Sequence, residues 1–543
     1  MRRVFAKLDK NSAWVVCALS YELGYLLEPK AAPDTWQVSS DQPLAKFWRF
    51  AECEPLSAEQ AEAWLSRQSG CDAAGVVGLQ PGIDEAAYSA TVDRVKYLIS
   101  EGDCYQVNYT LPLNFEWFGS PLGLYKRLRQ RQPVRYGGFV GNGQEGLVSL
   151  SPELFVERNG HRLTTRPMKG TAPRDTPAEA LRASAKDQAE NLMIVDLLRN
   201  DLGRLAMQGS VVVDRLFDIE EYPSVWQMVS EISARVEECS FSDVLRALFP
   251  CGSITGAPKI RAMQIAAELE QASRDIYTGA LGFLKPNGDF RLNVAIRTLE
   301  LALGNQGKMG VGSGVVADSQ AATEWQECLL KASFLRDCDP GLKLIETLRR
   351  EDGVYPMWRG HLARLRRSAA CFGFPFDEQV VFKQLAQQPV KGVWRVRLSL
   401  DKAGILEVTS AELPATPPEL KQVCFSSERI DANDLLQRHK TSSRSLYDAA
   451  LSRLDSASPI FDFIFLNQRG EVAEGARSNV FVEKEGVLLT PPLSSGALPG
   501  VLRAALLENG RAKEAVLWPE DLAGQFFVGN ALRGLMPVRL QSD

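Results

Sequence analysis

The stretch Thr164–Pro177, TTRPMKGTAPRDTP, changes backbone character within a few residues. Leu163, Thr164 and Thr165 favour a strand. Pro167 biases Arg166 away from the helical region, and Gly170 permits a tight turn. Lys169 is therefore expected on the last residue of a strand, its stem held by stiff backbone. Such a lysine is either a surface charge or a nucleophile aimed into a cleft, and the surroundings must decide. Residues 178–208, rich in Ala, Leu and charged side chains, read as a helix. Strand-like runs lie on both sides: GGFVGN (137–142), GLVSLS (146–151), LFVERN (154–159) and SVVVDRLF (210–217). Further helical patterns occupy 241–248, 258–271 and 320–335, so residues 1–338 read as one large α/β unit.

A chain of 543 residues exceeds one ordinary core, and two or more domains are expected. The hydrophobic fraction of 45% and charged fraction of 24% are those of a globular protein. The net charge of −5 is spread without a basic stripe, which argues against nucleic acid as a partner. No run of about 18 apolar residues exists to span a membrane. Lys7, Asp9 and Lys10 break the apolar run that a secretory leader needs. Ten scattered cysteines without a C-x-x-C pair point to a reducing compartment, the cytoplasm. With three histidines in all, proton transfer falls to lysines and carboxylates.

The break RDCDPGLK (336–343) places a domain boundary near residues 338–341. The second unit, 341–543, opens with a strand (LKLIETLR), a turn at Glu351-Asp352-Gly353 and a helix (GHLARLRRSAACFGF). GVWRVRLSLD and GILEVTSAEL then alternate as a hairpin does. The Pro-rich TPPELKQ (416–422) divides this unit into two lobes.

In the first unit, AKDQAENLMIVDLLRND sets Asp187 and Glu190 three residues apart, and AATEWQECLLKAS repeats the spacing with Glu324 and Glu327. On helices each pair shares a face. Two such faces meeting would offer an oxygen-only set suited to Mg²⁺. A solvated helix face is the ordinary account of any single pair, although the apolar LMIVDLL suggests that the first helix is buried. PCGSITGAPKIRAMQ runs a Gly/Ser/Thr loop into a helix, where backbone amides can hold an anion. It lacks the Gly-Lys-Ser/Thr of a nucleotide-phosphate loop. MGVGSGVVADS (309–319) reads as strand backbone that approaches a ligand closely.

Taken in order, SPELFVER, RPMKGTAPR, AENLMIVDLLRNDLGR, GSITGAPKIRAMQ, YTGALGF, NVAIRTLE, GVGSGVVADS and EWQECLLKA resemble the chorismate-utilising enzymes. Within that family the run is most similar to the aminodeoxychorismate synthase type, over about residues 70–335. The resemblance implies a two-sheet fold with chorismate and Mg²⁺ in a central cleft. It implies Glu190 and Glu327 as direct metal ligands and Asp187 and Glu324 as carboxylates acting through water. Thr255, Tyr277, Arg297, Gly312, Ser313 and Gly314 match substrate contacts, with Arg297 on a carboxylate. Lys169 matches the residue that separates this type from anthranilate synthases, which have a small residue there. The implied chemistry is covalent: Lys169 attacks C2 as the C4 hydroxyl leaves, and ammonia then adds at C4 and expels the lysine. Glu153 matches the acid/base. Gln227 stands where many relatives have histidine, so a histidine-type acid role passes to Glu153 or the metal site. No glutaminase signature is present, so ammonia comes from a separate glutaminase subunit or from solution.

In the second unit, LQRHKTSSRSLYDAAL and GEVAEGARSNVFVEKEGVLLTPPLSSGALPGVLR pair a lysine, Lys440, with a carboxylate, Glu474. Pyridoxal phosphate chemistry needs a lysine for the aldehyde and an acid for the pyridine nitrogen. The segment 341–540 resembles the branched-chain/D-amino-acid transaminase fold, a two-lobed fold-type IV domain that includes aminodeoxychorismate lyase. The resemblance implies pyridoxal 5′-phosphate, with Arg364, Val501 and Leu502 at its phosphate. Relatives often have threonine at Leu502, and Asn530 is expected to replace that contact. Thr347 and Arg444 are implied at the substrate pocket. A homodimer through this domain is implied as well. Lyase and transaminase share the lysine and glutamate, so both remain open here. Fusion to the first unit favours a lyase that releases 4-aminobenzoate and pyruvate.

Overall fold

The computed structural model describes residues 8, 12–34, 36–38, 42–69, 73–222, 225–414, 420–454 and 458–541. Lys7, Asp9, Lys10 and most of TPPELKQ lie outside the described residues. The chain divides into two compact units, Met1–Cys338 and Asp339–Asp543. Among the described residues no helix is long and apolar enough to cross a membrane.

The first unit holds two antiparallel sheets. One runs Val212–Glu221, Val225–Arg235, Arg162–Arg166, Leu154–Asn159, Phe290–Val294, Ala280–Leu284, Trp14–Leu19, Ala45–Phe50, with Met168–Pro173 paired onto Val225–Arg235. The other centres on Gln106–Phe118 and Gln306–Val315, in register from Glu116↔Gln306 to Val107↔Val315. Alternation along this ladder divides its two faces. Tyr109, Leu111, Leu113, Met309 and Val311 enter the core with Tyr88, Val92 and Val95 of helix Glu85–Ser100. Gly310, Gly312 and Gly314 occupy the opposite face as bare backbone.

The helix expected over 178–208 is two helices, Ala178–Arg182 and Ala185–Gly203. Ser184 ends the run: its hydroxyl accepts a hydrogen bond from the Asp187 amide at 3.3 Å and caps the second helix. That helix buries Asn191, Ile194, Val195, Leu198, Asp201 and Leu202, a helical-period stripe, against Phe155, Leu163, Ile232 and Leu292.

The backbone at Lys169 differs from the turn that the sequence suggests. Strand pairing resumes at once, and Met168–Pro173 lies antiparallel to Val225–Arg235. Met168 pairs Val229 and Thr171 pairs Gln227, so Lys169 and Gly170 together oppose Met228. This is a β-bulge, with Gly170 left-handed at φ +92°. Lys169 therefore sits inside a strand, and the bulge re-aims its side chain.

The second unit contains a three-stranded antiparallel sheet, Leu344–Glu351, Val393–Leu400 and Leu406–Glu412. Helices Trp358–Phe372 and Glu378–Ala386 pack on it. Gly373, left-handed at φ +64°, ends the first of these helices. An eight-stranded mixed sheet follows over residues 421–540, with helix Val501–Glu508 against it.

Candidate functional site

In the first unit the bulge carries the Lys169 amine to the glycine face of Gln306–Val315. A Cβ placed on Gly314 would stand 3.6 Å from Lys169 Nζ and 2.4 Å from Gln106 Nε2. A Cβ on Gly312 would meet Tyr109 O at 2.6 Å, and one on Gly310 would meet the Tyr277 ring at 2.1 Å. Only glycine fits this wall. Burial, and next the charge of Lys331, push the Lys169 amine below its ordinary proton affinity, while Glu153, Glu190 and Glu327 pull it back.

Glu153 is buried beside the same bulge. Its Oε1 accepts a hydrogen bond from Ser253 Oγ at 2.6 Å, and the main chain of Met168 bonds the carboxylate. Burial raises its pKa to about 7, so it exchanges a proton near neutrality. Gln227 ties down the lysine strand: its Nε2 donates to Gly170 O at 3.0 Å, and its Oε1 accepts from Thr171 Oγ1 at 3.1 Å. Asn191 Nδ2 donates to Lys169 O at 3.4 Å and its Oδ1 accepts from Ser230 Oγ at 2.6 Å.

The carboxylates fall into place unevenly. Glu190 and Glu327 both act on the Lys169 amine, and burial raises the Glu190 pKa. Asp187 packs against Gly170, 3.1 Å from the position of a Cβ there. Glu324 accepts from Ser319 Oγ at 2.8 Å, and Glu327 pairs with Lys331 at 2.7 Å. Among the described residues no group of three or more His, Cys, Asp or Glu is arranged to hold a metal ion. The four-carboxylate cluster expected from the sequence is therefore not assembled. Two converging carboxylates remain, which is the donor number Mg²⁺ uses when substrate oxygens and water complete its shell.

Thr255 is buried, and its hydroxyl donates to Gly252 O at 3.1 Å. Arg297 is held in left-handed backbone at φ +49°. Among the described residues its guanidinium has no hydrogen-bond or ion-pair partner, and burial lowers its pKa. An enclosed guanidinium without a counter-ion is arranged for an anion. Ser313 turns its side chain away from the cleft. Its hydroxyl bonds Tyr88 OH at 2.9 Å on the core side of the sheet, because position 313 alternates with Gly312 and Gly314. Only its backbone faces the cleft. Farther along that face is a cavity of about 360 Å³, bounded by Thr110, Asn114, Arg274, Tyr277 and Lys308.

Lys331 was not singled out by sequence. Its Nζ donates to Gly312 O at 2.7 Å, which sets a second cation beside Lys169. The available signal was its i+4 spacing from Glu327.

In the second unit, Lys440 is anchored through its backbone: its carbonyl accepts from Ile345 N at 2.9 Å. Burial, then Arg364 and Arg444, lower its amine pKa to about 8. Glu474 is buried, and burial raises its pKa to about 7. Tyr447 OH lies 2.7 Å from Glu474 Oε1 and 2.6 Å from Gln437 Oε1, and Leu498 N donates to Glu474 Oε2 at 2.8 Å. One tyrosine proton cannot serve two oxygens. Turned over, the Gln437 amide donates an Nε2 proton to Tyr447, which keeps its own proton for Glu474 Oε1.

Arg364 is gripped by Glu346. Nε donates to Oε1 at 2.8 Å, Nη2 to Oε2 at 2.7 Å, and His361 Nδ1 lies 2.6 Å from Oε2. Burial alone would raise the Glu346 pKa, but the Arg364 charge overrides it and holds the carboxyl at about 2. Nη1 of Arg364 donates to Pro499 O at 3.1 Å, next to Gly500. Gly500 opens helix Val501–Glu508, and a Cβ there would collide with Asn479 Oδ1 at 2.0 Å. The amides of Val501 and Leu502 are thereby left at a helix start beside an oriented guanidinium, a fit for a phosphate. Asn530 takes a different part. Its Oδ1 accepts from Leu532 N at 3.1 Å and Arg533 N at 3.0 Å, and its Nδ2 donates to Arg477 O at 2.9 Å. It shapes its own turn and does not replace the missing threonine. Glu346, His361 and Tyr447 were also missed by sequence; the signal was a lone acid in the apolar LIETL facing His361 and Arg364 at i, i+3.

Residues 3–337 match the family described as chorismate binding enzyme, and residues 343–540 match amino-transferase class IV. Aminodeoxychorismate synthase component 1 of Escherichia coli (strain K12) is 41% identical over 262 residues, 47% of this chain and 58% of that protein. Aminodeoxychorismate synthase of Streptomyces griseus is 37% identical over 369 residues, 62% of this chain and 50% of that protein. The chain thus spans about half to three-fifths of these relatives. The crystal structure of anthranilate synthase component I from Streptococcus pneumoniae TIGR4 superposes with a TM-score of 0.52 at 28% identity, covering 60% of this chain and 81% of that one. The chain belongs to the chorismate binding enzymes, and its second unit is an amino-transferase class IV domain.

Proposed function

We propose that the chain converts chorismate and ammonia to 4-amino-4-deoxychorismate in its first unit and releases 4-aminobenzoate and pyruvate in its second. The observation that carries the first half is the Lys169 amine, re-aimed by a bulge onto a bare glycine wall beside Glu153. With its proton affinity lowered, Lys169 Nζ attacks C2 of chorismate, and the C4 hydroxyl leaves with a proton from Glu153. Ammonia then adds at C4 and Lys169 departs from C2, so the net change is hydroxyl for amine with loss of water. Arg297 pairs with a carboxylate of the substrate, and Thr255, Tyr277 and the backbone of Gly312, Ser313 and Gly314 shape its pocket. Glu190 and Glu327 would hold Mg²⁺, with Asp187 and Glu324 supporting through water, once Lys331 releases Glu327. The metal would polarise the ring carboxylate.

Pyridoxal 5′-phosphate, when bound in the second unit, supplies an electron sink. Lys440 would hold its aldehyde carbon, Glu474 its ring nitrogen, and Arg364 with the amides of Val501 and Leu502 its phosphate. Lys440 Nζ then takes the proton from the carbon that bears the amino group, and pyruvate leaves from the neighbouring carbon. A separate glutaminase supplies the ammonia, and the second unit forms a homodimer in the cytoplasm. Incubation with chorismate, Mg²⁺ and ammonium, followed by product analysis, tests both halves. Release of 2-aminobenzoate refutes the first, and accumulated 4-amino-4-deoxychorismate refutes the second.

A further inference from the structure

Arg274 carries none of the roles above, yet every N–H of its guanidinium is spent. Nε donates to Glu270 Oε2 at 2.8 Å; Nη1 donates to Ile254 O and Thr278 Oγ1, both at 3.3 Å. Nη2 donates to Asn108 O and Glu270 Oε1, both at 2.7 Å. The Tyr21 ring covers its face at 4.3 Å, and its backbone amide donates to Glu22 Oε1 at 2.8 Å. These acceptors lie on separate segments. Ile254 precedes Thr255, and Thr278 follows Tyr277. Asn108 N in turn donates to Thr255 O at 2.9 Å, and Thr110 N to Glu270 Oε1 at 2.9 Å.

The turn that presents Tyr277 needs such a hold. Asp275 and Thr278 are left-handed at φ +53° and +59°, and Thr278 is β-branched. Such backbone persists only where its surroundings over-determine it. Thr278 Oγ1 also donates to Tyr277 O at 2.6 Å, so the guanidinium and the turn are joined through one hydroxyl. We infer that Arg274 is a positioning residue that fixes Thr255 and Tyr277 relative to each other and to the glycine wall. The inference rests on the proposed chorismate reading of that pocket. Lysine cannot substitute, because a single amine cannot reach acceptors spread over a planar fork.

The test uses the full-length chain. Thr278→Val removes the shared hydroxyl, Thr278→Ser retains it, and Arg274→Lys removes the fork. Chorismate affinity, the KM for ammonium, thermal midpoints and crystal structures are compared. Thr278→Val is expected to weaken chorismate at least tenfold with the ammonium KM unchanged, and Thr278→Ser to restore wild-type affinity. The Tyr277 ring is expected to leave Gly310 by an ångström or more in Arg274→Lys. Wild-type affinity in Thr278→Val, or a Tyr277 unmoved in Arg274→Lys, overturns the positioning role. If the wild-type chain does not bind chorismate, the substrate reading fails, and the position of Tyr277 alone still decides the role of Arg274.

Discussion

Replacing Glu474 by glutamine is expected to stabilise the cofactor-free second unit in a strongly pH-dependent way. Burial raises the Glu474 pKa from an ordinary 4.5 to about 7. At about 1.4 kcal/mol per tenfold change in proton affinity, this corresponds to ~3 kcal/mol. The folded chain binds the proton more tightly than the unfolded chain. Stability is therefore full below about pH 4.5, falls as pH rises toward 7, and is lower by the whole amount above that. Glutamine mimics the protonated acid: its amide can donate to Tyr447, and its carbonyl can accept from Leu498 N. At pH 8 Glu474→Gln should exceed the wild type by ~3 kcal/mol, roughly 10 °C in the midpoint of a unit of this size. Near pH 4.5 the two should coincide. Thermal melting of both cofactor-free proteins across this range measures the difference. A difference independent of pH would refute the raised proton affinity of Glu474.

Gly170→Ala should lower stability by about 1–2 kcal/mol and abolish turnover, because alanine meets the Asp187 side chain in left-handed backbone; urea unfolding beside an amination assay reads both. Arg297→Gly should leave stability equal or higher while chorismate affinity falls about 100-fold, since the guanidinium has no hydrogen-bond or ion-pair partner among the described residues; calorimetric titration measures it. Lys440→Ala should lose the visible absorbance that the wild type acquires with pyridoxal 5′-phosphate, and retained colour would exclude Lys440 as the attachment point.

The features set by local chemistry were legible in the sequence. Gly and Pro punctuate the short strands, and the hairpin 393–412 and the helix around Arg364 follow from alternation and periodicity. Features set by pairing partners were not. The Lys169 bulge exists because Val225–Arg235 lies alongside it, and nothing near residue 169 announces that strand. That Ser313 presents backbone and not its hydroxyl to the cleft depends on ladder parity, which the glycine-dense run conceals. Glu346 and Arg274 act on residues distant in sequence, so their importance is a property of the contact and not of the motif. Ser184 could have been read as a cap, but the helical pattern ran through it.

The glycine wall has a consequence for how such a pocket can vary. Gly310, Gly312 and Gly314 present shape and main-chain polarity but no titratable or nucleophilic group. Their ladder is pinned on its other face by Tyr88, Leu111 and Val311, so it cannot flex to suit a new ligand. Variation in what this pocket offers a ligand is therefore left to the opposing surface, where the bulge sets the Lys169 amine. A substitution at position 169 changes the functional group presented there while the wall, and the core behind it, stay unaltered.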